Sequence, residues 1–310
     1  MNPSKQTNLY GLDSYFNEIK QLYDSKKIPN KILFSGKQGS GKSTLAYHFI
    51  NYILSQHEED KYDINKLIIN EKNRSFNLLN NNSHPNFYLV DLLQEKKNIE
   101  INQVREMIAY TRKSSFNNMP RFVLINNVEK LNLNSSNALL KVIEEPNDDI
   151  FFILIHNDKK KIIPTLKSRC LTFKINLSFK KTIEITNYLL KNDIFTMINP
   201  DLINFYYSPG DFINIMNFAN EKKIDLTEYD ITKFLHLLID NFYYKKNKYI
   251  KDLIFDYIEL YFLKIYKLSA SKKLILNTYH AFINKVDNAN RFNLDDESLF
   301  IEFKSSVLNG

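Results

Sequence analysis

The chain is poor in residues that staple or break a backbone: its 310 residues include one cysteine, six glycines, eight prolines and no tryptophan. The single thiol, Cys170, can close neither an internal disulfide nor a cysteine-rich zinc site, which points to a reducing compartment. Long apolar runs are also missing. The greasiest stretch, Phe151–Ile155, falls far short of the roughly 20 residues needed to cross a bilayer. The opening MNPSKQTNLYG has no apolar core of the signal-peptide kind, so a cytoplasmic location is expected. The formal charge of +7 is moderate and suits a nucleic-acid partner without requiring one.

Glycine and proline divide what remains. Three of the six glycines stand at Gly36, Gly39 and Gly41, and after Gly210 neither residue recurs until Gly310. A stretch of about 100 residues without either punctuator reads as all-helical. Ile250, Leu253, Ile254, Tyr257, Tyr261, Ile265 and Leu268 recur there at helical spacing, broken by charges that mark a buried amphipathic helix rather than a membrane span. Much of the aromatic content, 19 Tyr and 23 Phe, reads as core for the same reason.

The first 175 residues instead alternate β-rich apolar runs (Ile32–Ser35, Phe87–Leu92, Phe122–Ile125, Ile150–Ile155, Leu171–Ile175) with helical patterns (Lys42–Leu54, Ile101–Arg112, Asn134–Glu145, Ile162–Arg169). That alternation predicts an α/β fold, a mainly parallel sheet covered by helices on both faces. Pro146 is expected to close the third helical pattern. The polar, Asn-rich segment from His57 to Pro85 reads as a surface insertion.

Gly36-Lys37-Gln38-Gly39-Ser40-Gly41-Lys42-Ser43 matches G-x-x-x-x-G-K-[ST] between an apolar strand and an amphipathic helix, the context a phosphate loop requires. The glycines let backbone N–H groups turn toward phosphate oxygens, and the helix N-terminus adds its dipole. Lys42 would reach the β- and γ-phosphates, the Ser43 hydroxyl would ligate Mg²⁺, and Ser40 and Thr44 complete the cradle. ATP or ADP with Mg²⁺ is the implied cofactor. Hydrolysis further needs carboxylates at the end of a neighbouring strand, to hold the metal shell and to orient or deprotonate water. The candidate strand, Phe122–Ile125, runs into Asn126 and Asn127. Amides cannot take a proton, and losing a positioned base costs about 10²–10⁴-fold in rate.

From Ile101 to Ile175 the sequence resembles the bacterial clamp loaders of the AAA+ class. The resemblance rests on Val104-Arg105-Glu106, the NNVEKL segment, Ser136-Asn137-Ala138-Leu139-Leu140-Lys141-Val142-Ile143-Glu144-Glu145-Pro146 and Ser168-Arg169-Cys170. Within that family the chain is most similar to the delta-prime type of DNA polymerase III, over residues 8–175 and more weakly to the end. The resemblance implies a RecA-like domain over 1–176, a small helical lid over 177–224 and an all-helical collar over 225–310. It implies as partners the gamma/tau- and delta-type subunits, the sliding clamp and primer–template DNA.

The resemblance also assigns roles. Arg169 would be a finger reaching a neighbouring subunit's ATP, although an arginine also suits a helix C-terminus. Asn157 would be the polar sensor beside the γ-phosphate. Ser208-Pro209-Gly210 is followed by Asp211, an acid where the family places a phosphate-binding arginine. Many relatives carry a four-cysteine zinc module that this chain lacks, and His57 with His84 cannot close a tetrahedral zinc site. Arg105, Arg112 and Lys113 lie on the helix that resembles a DNA-gripping element, a pattern a solvated helix face would share. Two other readings remain open: a gamma/tau-type motor that hydrolyses ATP itself, and an unrelated P-loop kinase.

Overall fold

The computed structural model describes residues 2–93, 96–113, 119–144, 149–245, 247–292 and 294–308. Pro146 and Glu145 lie outside them. The chain divides into two compact units, Met1–Thr186 with Ser208–Asn214, and Asn187–Tyr207 with Ile215–Gly310.

The first unit alternates helix and strand in the expected order: α1 (Asp13–Asp24), β1 (Lys31–Gly36), α2 (Lys42–Leu54), α3 (Arg74–Asn80), β2 (Phe87–Val90), α4 (Ile101–Thr111), β3 (Arg121–Ile125), α5 (Leu133–Glu144), β4 (Ile150–Asn157), α6 (Pro164–Lys167) and β5 (Leu171–Ile175). The strands form one parallel sheet in the order β2-β3-β4-β1-β5. β3 is buried at all five positions, as expected for a sheet covered on both sides.

Side chains alternate across the strands and sort into two cores. Ile32, Phe34, Phe122, Ile153 and Phe173 pack with Phe16 and Ile19 of α1 and Leu45, Phe49 and Ile53 of α2. Leu33, Val123, Ile125, Phe152 and Leu154 pack with Val104 and Met107 of α4, Leu139 and Ile143 of α5 and Leu166 of α6. The connection from β4 to β5 crosses β1, so the carboxyl end of β1 opens at the point where strand order reverses, the usual ligand crevice of open α/β sheets.

Three local expectations are corrected. The segment from His57 to Pro85 is no surface insertion: it buries Tyr62, Leu67, Ile69, Phe76 and Leu79 in the first core. Its asparagines act partly as internal connectors. Asn73, fully buried, caps α3 by accepting from the Phe76 N–H at 2.7 Å and accepts from the Asn51 amide at 3.1 Å. Isolated apolar residues in a polar background carry no period, so pattern alone misses them. β2 stops at Val90 rather than Leu92, and the helix expected over 162–169 is the single turn α6.

The second unit is helical, built from α8 (Ile194–Met197), α10 (Ile231–Asp240), α11 (Lys248–Leu268), α12 (Lys272–Phe292) and α13 (Asp296–Phe303), with parts of α7 (Phe179–Leu190) and α9 (Pro209–Lys222). α11 buries Ile250, Leu253, Ile254, Tyr257, Ile258 and Phe262 along one stripe, whereas Leu268 at its end is 78% exposed. Ion pairs Lys245–Glu297 (2.8 Å), Lys251–Asp296 and Lys304–Asp240 tie the C-terminal segment to the turn before α11, to α11 and to the end of α10. Among the described residues no helix is long and apolar enough to cross a membrane.

Candidate phosphate-binding site

β1 delivers the glycine-rich loop to the crevice, and α2 carries it away, with Gly41 at the helix N-cap. The glycines are demanded by space and backbone. Gly39 has φ +77°, and a Cβ there would stand 2.5 Å from Ser208 Oγ; a Cβ on Gly36 would stand 2.3 Å from the Ile175 carbonyl oxygen. Ser40 Oγ donates to the Lys37 carbonyl at 2.8 Å and holds the loop closed upon itself.

Lys42 is buried, and its Nζ donates to the carbonyls of Gly36, at 2.8 Å, and Lys37. Burial away from water lowers its pKa to about 8, opposed by the charges of Asp158, Glu129 and Asp211. A buried ammonium beside the N-terminus of a helix fits a phosphate chain. Ser43 Oγ donates to Asn126 Oδ1 at 3.1 Å, and Thr44 is half-buried in the same first turn of α2. The residues therefore suit a nucleotide's phosphates, with Ser43 facing the side chain at the end of β3.

Register places Asn157 opposite Gly36. Its backbone N–H donates to Glu129 Oε2 at 3.2 Å, and its Nδ2 donates to Gln38 Oε1 of the loop at 3.4 Å. The turn bearing Asp211 closes on the loop from another side: the Gly210 N–H donates to the Gly39 carbonyl at 3.1 Å. Asp211 Oδ2 accepts from the Ser208 N–H at 2.9 Å and from Ser208 Oγ at 2.8 Å, so the acid is occupied in shaping the start of α9.

Asp91 was not foreseen. It follows β2 and accepts from the amides of both Asn126 and Asn127, each at 2.9 Å. An acid inside the apolar run Phe87–Leu92 was the available signal. Glu129 and Gln38 join the site for the same topological reason: loops at the carboxyl ends of neighbouring strands converge there.

Arg169 stands apart, in the turn between α6 and β5. Its Nη2 pairs with Glu144 Oε1 at 2.7 Å and its Nη1 donates to the Thr165 carbonyl at 3.0 Å. The guanidinium remains on the surface beside the end of α5. Arg105 and Arg112 are exposed and two turns apart along α4, on one side of it, and exposed Lys113 follows.

The family described as DNA polymerase III, delta subunit, matches residues 11–178. A DNA polymerase III subunit delta' of Pseudomonas aeruginosa is 30% identical over 150 residues, covering 48% of this chain and 44% of that protein. A DNA polymerase III subunit gamma of Buchnera aphidicola subsp. Schizaphis graminum is 33% identical over 172 residues, covering 55% of this chain and 44% of that protein. The chain thus spans under half the length of either relative. Among solved structures, a gamma subunit-related protein of Thermotoga maritima aligns with a TM-score of 0.47 and 16% identity, over 92% of this chain and 96% of that one.

Proposed function

Because the chain belongs to the DNA polymerase III delta-subunit family, we propose that it works as a delta-prime-type subunit of a clamp loader, turning over little or no ATP itself. Its first unit is the RecA-like AAA+ domain, a parallel sheet with the phosphate loop at the carboxyl end of β1. Residues 1–176 serve as the nucleotide-binding domain, 177–224 as a lid and 225–310 as a collar that joins gamma/tau- and delta-type subunits. Arg105, Arg112 and Lys113 meet phosphates of primer–template DNA as the assembly places the sliding clamp.

The observation that carries this reading is the pair Asn126 and Asn127 at the end of β3. The loop is complete, and Asn126 takes the hydroxyl of Ser43, but neither side chain can hold a metal shell by charge or accept a proton from water. Lys42, Ser43, Thr44 and Asn157 hold ATP or ADP, whose phosphates supply the charge to which a neighbouring subunit responds. Steady-state ATPase of the isolated protein tests this. The expected rate is at least about 10²-fold below that of an acid-bearing AAA+ motor. Turnover comparable to such a motor, abolished by Lys42→Ala, would overturn it in favour of a gamma/tau-type motor, the reading favoured by the intact loop and the match to a gamma subunit.

Lys42 sets a pH dependence. Phosphate binding uses its charged form, half depleted in the free protein near pH 8. ADP affinity is expected to be flat below that pH and to fall by about tenfold per unit above it, as read by equilibrium titration from pH 7 to pH 10. The stability of the free protein should move the opposite way. The folded pKa is depressed, so the folded chain gives up the proton at about 8 while the unfolded chain keeps it to about 10.5, and stability rises with pH across that window. An ADP affinity indifferent to pH through this range would remove Lys42 from phosphate binding.

A further inference from the structure

The hydrogen bonds around Asn126 have a direction that the amide alone would not have. An asparagine can turn either its oxygen or its nitrogen toward a neighbour, because the two ends are nearly equal in size. An ionised carboxylate only accepts, so whatever amide group faces Asp91 has to be the NH₂. Asp91 Oδ2 takes the Asn126 Nδ2 at 2.9 Å, and Asp91 Oδ1 takes the Asn127 Nδ2 at 2.9 Å. The Asn126 oxygen is thereby turned to the phosphate loop, where it accepts from Ser43 Oγ at 3.1 Å. Asp91 is itself held at three points: the Leu92 N–H donates to its Oδ1 at 2.7 Å, Gln103 Nε2 of α4 donates to its carbonyl at 2.7 Å, and it directly follows β2. Asn127 has φ +53°, a left-handed conformation that asparagine tolerates better than most residues, and this turn brings its amide back to the same carboxylate.

We propose that Asp91 is a positioning residue of the nucleotide site, an acid standing one strand away from the end of β3 that orients Asn126 and Asn127 so that the loop holds a nucleotide with little help from a divalent cation. The proposal rests on the nucleotide-holding part of the function proposed above. The formal charge that would draw a hydrated metal lies one amide behind the Ser43 hydroxyl, and both its oxygens are engaged by N–H donors. Asp91 therefore organises acceptors without offering the metal a carboxylate. The site keeps a fixed pattern of hydrogen bonds, and the contribution of Mg²⁺ is small.

The experiment is equilibrium binding of ADP to the whole 310-residue chain, in excess Mg²⁺ and in EDTA, for the unaltered chain, Asp91→Asn, and the double variant Asp91→Asn with Asn126→Asp, each checked for folding by its thermal transition. The unaltered chain is expected to bind ADP within about threefold equally in the two conditions, and Asp91→Asn to weaken binding by roughly tenfold in both, as loss of a charge-assisted orienting bond implies. The double variant returns the carboxylate to the end of β3 and should recover binding in Mg²⁺ only, opening a difference of at least about tenfold between Mg²⁺ and EDTA. A residue that merely supports the fold would not move metal dependence in this way. Equal affinities for the unaltered chain and Asp91→Asn, or a double variant indifferent to Mg²⁺, would overturn the proposal. Failure of the unaltered chain to bind ADP would overturn it together with the nucleotide-holding reading, whereas rapid ATP turnover would overturn the proposed function while leaving this binding series to decide the role of Asp91.

Discussion

Replacing Arg169 with alanine is expected to leave this chain folded and able to assemble, yet to cut hydrolysis at the neighbouring subunit's nucleotide in a reconstituted complex by about 10³–10⁵-fold, the range seen when an arginine is supplied in trans to phosphoryl transfer. The two halves of that expectation rest on different physics. The fold survives because Arg169 is 37% exposed and its partner Glu144 48% exposed. An ion pair so open to water is worth about 0.2–1 kcal/mol. Catalysis suffers because a guanidinium brought against developing phosphate charge in a water-poor interface acts at low dielectric, where the same charge does far more. Glu144 holds the side chain in the isolated subunit and would have to yield it to the neighbour's phosphate. Complex ATPase beside gel filtration of the same sample checks both halves. Unaltered ATPase in a fully assembled Arg169→Ala complex would remove the finger assignment.

The second large effect is expected at Tyr257, in the core of the helical unit. Its side chain is fully buried, its ring meets Phe234 edge-on with centroids 5.2 Å apart, and its hydroxyl donates to the Leu202 carbonyl at 3.0 Å. Tyr257→Ala removes the ring, leaves a cavity and orphans that carbonyl, for an expected loss of about 3–5 kcal/mol. Tyr257→Phe keeps the packing and loses the hydrogen bond, for about 1–2 kcal/mol. Leu268→Ala, on the same helix but largely exposed, should stay within about 0.5 kcal/mol of the unaltered chain. Urea unfolding of the three variants, followed by helical circular dichroism, reads this order. A Tyr257→Ala loss no larger than that of Leu268→Ala would show that α11 is not held by this stripe.

Much of this architecture was legible because the signals are local. The glycine-rich loop motif is eight consecutive residues, the strands are short continuous apolar runs, and α11 shows its buried face at a spacing of three and four. Errors came where local pattern is mute. The segment between His57 and Pro85 reaches the core through scattered apolar residues in a polar background. α6 is a single turn because proline begins it and the chain turns at Ser168 toward β5, a length that periodicity does not encode.

Sequence by itself determined that a glycine-rich loop of the phosphate-binding pattern stands at the end of a buried strand, that amides Asn126 and Asn127 follow β3, and that the stretch after Gly210 is helical. Each of these is written in neighbouring residues. Only the tertiary structure decided what those amides do. Asp91 lies 35 residues from Asn126, and Ser43 lies 83 residues from it. Their meeting depends on parallel strands delivering their carboxyl ends to one crevice. A carboxylate can orient an amide only at hydrogen-bonding distance, and that distance is set by the order of strands in the sheet.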